Sequence, residues 1–139
     1  MSPKFYFFDI SPVTHLTRRG EILQGSELFG RAFEHYLWME ITAHSSYSEM
    51  FYPIFYWRTS SGFEVDFILG DHEIAIEAKA TPYANTPHLK GLRRFKEEYQ
   101  IKRCILVSLD PKPRKTEDQI EIFPWKIFLE QLWSGKIIS

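Results

Sequence analysis

Asp66, Glu77 and Lys79 are the residues whose types and spacing could do chemistry together. They lie in the stretch YWRTSSGFEVDFILGDHEIAIEAKA, from Tyr56 to Ala80. It reads as a strand, a turn at Ser60-Ser61-Gly62, a second strand, a tight turn at Gly70-Asp71-His72 and a third strand. Phe63, Val65, Phe67 and Leu69 alternate with Glu64, Asp66 and Ile68, and Ile74, Ile76 and Ala78 alternate with Ala75, Glu77 and Lys79. The alternation predicts one apolar face and one that carries the charges.

Opposed residues of an antiparallel pair share a face, so register decides whether those charges meet. A two-residue turn at Asp71-His72 pairs Gly70 with Glu73, Ile68 with Ala75, Asp66 with Glu77 and Glu64 with Lys79. A slip of one residue would set Asp66 against Ile76 and turn the acids into the apolar face, so the pattern favours the clustered arrangement. Two carboxylates side by side on a half-buried sheet repel unless a cation stands between them. Their hard oxygens suit Mg²⁺ or Mn²⁺, which keeps several waters, one of which could act as a nucleophile. Lys79 could stabilise developing negative charge or help activate that water. The plain alternative is an ordinary strand pair whose charges are solvated.

Asp66, ten intervening residues and then Glu77-Ala78-Lys79 at the end of an apolar strand resemble the PD-(D/E)XK nuclease signature. Over nearly the whole chain the segments KFYFFDIS, GRAFEHYLWMEI, YWRTSSGFEVDFIL, IEAKA, HLKGLRRF and IEIFPWKIFLEQLW resemble, in that order, the DUF4143 domain. The resemblance implies an α/β fold of the restriction-endonuclease-like kind, a mixed central sheet flanked by helices. It also implies a position at the C-terminal end of a predicted AAA-type ATPase, and a site for phosphodiester hydrolysis, with DNA the expected substrate. Glu34 matches the acidic residue of that family's first helix and would join Asp66 and Glu77 around the metal.

These residues must be positioned by the rest of a chain of 139 residues, which is the size of one domain with a proper core. Residues 1–139 are therefore expected to be a single domain, a part or stand-alone remnant of a longer ATPase protein. Hydrophobic residues make up 44% and aromatics 17%, yet no window approaches the roughly 18 uninterrupted apolar residues of a membrane span. The N-terminus lacks the basic region, apolar run and cleavage site of a secretory signal, so a cytoplasmic location without membrane partners is expected. A net charge of −1 provides no whole-molecule field toward nucleic acid, and a local basic patch would have to supply it. The phosphate-cradling Gly-x-x-x-x-Gly-Lys-Ser/Thr is absent, so any ATPase partner must lie in another polypeptide or outside this sequence.

In chain order, Lys4 to Asp9 reads as an aromatic strand that starts abruptly, as a domain docked on an upstream partner would. Ser11 to Arg19 reads as a short helix. Ser26 to about His44 has helical spacing, with Ser26 as cap and Phe29, Ala32, Phe33, Tyr36 and Leu37 as its apolar stripe. Glu34 falls on the flank of that stripe, where Gly30 would let another backbone come close. Glu40 falls nearer the stripe's centre and needs a partner, for which Arg58 is the candidate. Tyr52 to Thr59 supplies the first strand of the meander. Its Trp57 and Arg58 could stack on bases, although aromatics more often fill cores.

Thr86-Pro87 reads as a helix start, with Leu89, Leu92, Phe95 and Tyr99 inside and Lys90, Arg93, Arg94 and Lys96 outside. Lys90, Arg93, Arg94 and Arg58 are the candidate nucleic-acid contacts, and a merely solvated face is the alternative. His88 at this helix start could lie near the acidic cluster. Cys104 lies in an apolar strand from Arg103 to Leu109 and is expected to be buried. Asp110 to Asp118 reads as a polar, mobile loop, followed by a last strand from Gln119 to Phe123 and a closing helix from Pro124-Trp125 to Trp133.

Two classes of function follow. One is a Mg²⁺- or Mn²⁺-dependent nuclease built on Glu34, Asp66, Glu77 and Lys79. The other is a non-catalytic module of an ATPase that binds DNA or a protein on the same scaffold. Association through the aromatic N-terminal segment, including homodimerisation, is compatible with both.

Overall fold

The computed structural model describes residues 27–139. The strand read at Lys4 to Asp9, the helix at Ser11 to Arg19 and the Ser26 cap lie outside the described residues. The first helix, α1 (Glu27–Tyr47), is followed by β1 (Ile54–Arg58), β2 (Glu64–Leu69) and β3 (Ile74–Ala78). A short 3-10 helix (Thr86–Leu89) leads into α2 (Lys90–Glu98). Then come β4 (Arg103–Ser108), β5 (Arg114–Lys115), β6 (Ile120–Pro124) and α3 (Trp125–Trp133). The strands form one mixed sheet in the order β1-β2-β3-β4-β6-β5. β3, β4 and β6 run parallel, whereas β1 with β2, β2 with β3 and β5 with β6 are antiparallel. The fold is α/β with a mixed sheet between helices, as the sequence predicts. Among the described residues no helix is long and apolar enough to cross a membrane.

Each face of the sheet buries its own apolar cluster. On one face Phe33, Leu37 and Ile41 of α1 and Phe128 and Leu132 of α3 pack against Phe67, Leu69, Ile76, Ile105 and Val107. On the other, Leu92 and Phe95 of α2 and Leu89 of the 3-10 helix pack against Val65, Ile68, Ala75, Cys104 and Leu106. Most of these side chains are fully buried, each contributing on the order of 1.5–3 kcal/mol by leaving water. This corrects the expectation of one apolar and one charged face. Ile68 and Ala75, assigned to the charged face, are covered by α2, so the acids sit among apolar residues.

The register of the hairpin holds, with Phe67 opposite Ile76, Ile68 opposite Ala75 and Leu69 opposite Ile74. Its turn is longer than expected. Gly70 does not pair with Glu73. Its N–H bonds Pro53 O at 3.0 Å, and the turn is closed by left-handed backbone at Gly70 (φ +70°) and His72 (φ +56°). Because the added turn residues are even in number, the two strands keep the same faces together.

A second irregularity bears directly on the acids. Phe55 is paired with Ile68 and Trp57 with Val65, which leaves Tyr56 alone opposite both Asp66 and Phe67. This β-bulge shifts the alternation by one residue, so Val65 and Ile68 both join the α2 cluster. Trp57 joins them, edge-on to Phe95 at 5.0 Å, and is core. The loop read at Asp110 to Asp118 is corrected as well, since Arg114–Lys115 forms the edge strand β5 against β6. Tyr99, expected inside, is 37% exposed and stacks on His72.

Candidate functional site

Asp66 and Glu77 are brought together and nearly closed off from water, at 5% and 3% exposure. The Asp66 N–H donates to Glu77 Oε1 at 3.3 Å, and Ala78 N–H donates to Asp66 Oδ2 at 2.8 Å. Such bonds satisfy carboxylate oxygens that would otherwise be costly to bury. They also show what the bulge achieves: it aims the Asp66 amide at the opposing side chain instead of at a ladder carbonyl.

In front of this pair lies an open cleft between the β-hairpin and the start of α2. Its floor is Glu77 and Lys79, its near wall Ser61 to Glu64, and its far wall Pro87, His88, Lys90 and Gly91. Asp66 is not among the lining residues. The cleft sits at the carboxyl end of β3, beside the parallel strand β4, where open α/β sheets tend to leave a crevice. Lys79 is the residue after β3, and its N–H still bonds Val107 O at 3.0 Å, which anchors the backbone beneath its ammonium group. The ammonium itself has neither a hydrogen bond nor an ion pair among the described residues, and the same is true of Lys90.

Two features hold the far wall in place. A Cβ on Gly91 would stand 2.0 Å from the Glu64 carbonyl oxygen, so α2 lies on β2 at a distance that only glycine permits. Gly30, where close approach was expected, has nothing among the described residues within 4 Å of such a Cβ; α1 meets the sheet through large side chains instead. Behind the wall, Asp110, 4% exposed, accepts from Ala84 N–H at 3.0 Å, from Ser108 Oγ and from Arg114. Arg114 also donates to Ala84 O and lies over the Tyr83 ring at 4.3 Å. This clamp fixes the segment that carries His88, and the sequence placed two of its members, Asp110 and Arg114, in a mobile loop.

His88 is a cleft-lining residue to which sequence reasoning gave no role. Its Nδ1 accepts from the Asn85 backbone N–H at 3.0 Å, while the His88 backbone N–H donates to Asn85 O at 2.9 Å. Burial holds its pKa below the ordinary imidazole value; the Lys79 charge lowers it further and Asp110 opposes. The signal was present in Asn85-Thr86-Pro87-His88, a capping residue with a side-chain acceptor three positions on.

The four expected nucleic-acid contacts separate. Lys90 lines the cleft, whereas Arg58, Arg93 and Arg94 do not. Arg93 is bound at both Nε and Nη2 to Asp118, at 2.9 and 3.2 Å, and Arg94 pairs with Glu97 and Glu98. Glu40, expected beside Arg58, instead accepts from the Trp133 indole at 3.0 Å. The α1–α3 contact supplies that partner.

Glu34 is half-buried on α1. Among the described residues no group of three or more His, Cys, Asp or Glu side chains is arranged to hold a metal ion. The two strand acids are joined through the Asp66 amide and the Glu77 carboxylate. Two adjacent carboxylates still fit Mg²⁺ as a donor set, because that ion is commonly held by one or two carboxylates plus water and substrate phosphate. Asp66 and Glu77 would hold it.

The family described as "Domain of unknown function (DUF4143)" matches residues 29–128. No curated protein and no solved structure matches the chain.

Proposed function

The chain belongs to the DUF4143 family, and from the cleft and the hairpin's resemblance to the PD-(D/E)XK signature we propose that it binds a nucleic-acid strand, DNA foremost, and hydrolyses its phosphodiester bonds with Mg²⁺. One observation carries the reading. Glu77, hydrogen-bonded to Asp66 behind it, shares an open cleft with Lys79, Lys90 and His88, side chains that can only donate to a phosphate. The acids complement a cation and the donors complement an anion, and a metal-bridged phosphodiester brings both. When bound, the ion would polarise a phosphoryl oxygen. Lys79, on its anchored backbone, would stabilise negative charge as it develops on the phosphate. Lys90 would hold the adjoining backbone. The nuclease-like scaffold and an AAA-type ATPase as partner belong to the same proposal, on the resemblance of the segments quoted above.

Calorimetric titration of Mg²⁺ and Mn²⁺ into the protein, with the Asp66→Ala/Glu77→Ala variant beside it, tests the acids. Stoichiometric binding lost in the variant is expected, together with Mg²⁺-dependent cleavage of DNA lost in Lys79→Ala. Metal binding that survives the double substitution would remove Asp66 and Glu77 from the site. A second reading, a module that binds DNA without cutting, is favoured by one detail. Asp66 Oδ2 is occupied by Ala78 N–H and the residue does not line the cleft, as a purely structural acid would behave. DNA binding without cleavage under either metal would select it.

A further inference from the structure

Resting on the reading of the cleft as a phosphodiester site, we infer that His88 is a substrate-contacting residue that donates from Nε2–H to a phosphate oxygen. The argument begins with Asn85. A backbone N–H can only donate, so the Nδ1 that accepts it at 3.0 Å must carry the lone pair. The proton of the neutral ring then resides on Nε2. The backbone bond from His88 N–H to Asn85 O closes the turn against which the Nδ1 bond holds the ring. Leu89, 3% exposed, and the Asp110 clamp on Ala84 hold that turn from both sides. The donor is therefore oriented before any ligand arrives, which reduces the ordering a ligand must impose.

Nε2–H finds no acceptor among the described residues, and His88 lines the same cleft as Lys79 and Glu77. A phosphodiester presents only acceptor oxygens on its phosphate, so a fixed neutral donor is its complement, whereas a ring with Nδ1–H would have to break the Asn85 bond. His88 thus adds direction to a site in which Lys79 and Lys90 supply charge without fixed geometry.

Two substitutions separate this role from the structural one. In His88→Asn the amide oxygen can keep the Asn85 N–H bond, but nothing reaches the Nε2 position. In His88→Gln the amide N–H can reach that position. Binding of a short fluorescent DNA duplex in EDTA, read by anisotropy on the full chain, should weaken about tenfold in His88→Asn, the lower end of what a hydrogen bond to a charged group contributes. It should recover toward the parent in His88→Gln, with the melting temperature of His88→Asn unchanged. Long-range ¹⁵N correlation spectra of the free protein should show the Nε2–H tautomer. Parent binding that is equal in His88→Asn, or an Nδ1–H tautomer, overturns the role of His88 and leaves the cleft reading standing. A parent that binds the duplex neither in EDTA nor with Mg²⁺ overturns both.

Discussion

The two sides of α2 both carry cations, and they are in opposite electrostatic states. Toward the cleft, Lys79 and Lys90 have no ion-pair partner among the described residues. Away from it, Arg93 is gripped by Asp118, Arg94 is shared between Glu97 and Glu98, and Lys96 donates to Asp118 O. The outer side has more positive charge in sequence and less of it to offer. A paired guanidinium must surrender its carboxylate before it can bind a phosphate, so the exchange gains little. A basic run on a helix therefore says little about nucleic-acid binding until its acidic partners are known, and here one comes from a loop 25 residues beyond Arg93 while those of Arg94 sit on α2 itself.

The sharpest way to break this contrast is to push α2 off the sheet. Gly91→Ala sets a methyl group against a backbone carbonyl that cannot move aside, and overpacking of that kind costs about 1–3 kcal/mol or more. For a domain of this size we expect a fall in melting temperature on the order of 10 °C and loss of the cleft's far wall. A calorimetric melt within error of the parent would mean that the close approach imposes no constraint.

Smaller, and more direct, is a paired comparison of charges. Lys79→Ala should weaken DNA binding about tenfold and flatten its dependence on salt, whereas Arg94→Ala should change affinity less than about twofold. Equal losses in the two variants would erase the distinction between the sides of α2.

The smallest effect concerns the outer side alone. Hydrogen bonds from Arg93 and then Thr116 hold the Asp118 carboxyl down at about 2, below its ordinary 3.8. A depressed carboxylate stabilises the fold at pH values above the unfolded value near 3.8 and loses that contribution as pH falls through about 2. The side chain is 42% exposed, so screening limits the contribution to under about 1 kcal/mol. Urea unfolding at neutral pH should show Asp118→Asn slightly less stable than the parent, the gap should close near pH 2, and DNA binding should not change.

The charged hairpin was legible because its pattern has a period of two. Phe67, Leu69, Ile74 and Ile76 could face a core only in the register that opposes Ile68 to Ala75, and that register brings Asp66 and Glu77 together. The bulge was not legible, since Tyr56 facing two residues leaves no mark on either strand's composition. The buried Cys104, 3% exposed, followed from its apolar run. Glu40 was rightly expected to need a partner, and it has two, Tyr36 one turn away on α1 and Trp133 far along the chain.

By itself the sequence determined the described elements other than β5 and the meeting of the two acids, because hydrophobic periodicity and register act between neighbouring segments. The tertiary structure alone decided which cations remain available and which glycine matters. It also decided that His88 joins Lys79 in one cleft. Each of these depends on groups distant in sequence, such as Asp118 beside Arg93, Glu64 O beneath Gly91 and Asp110 behind Ala84, and the packing of α2 on the sheet is what brings them within bonding distance.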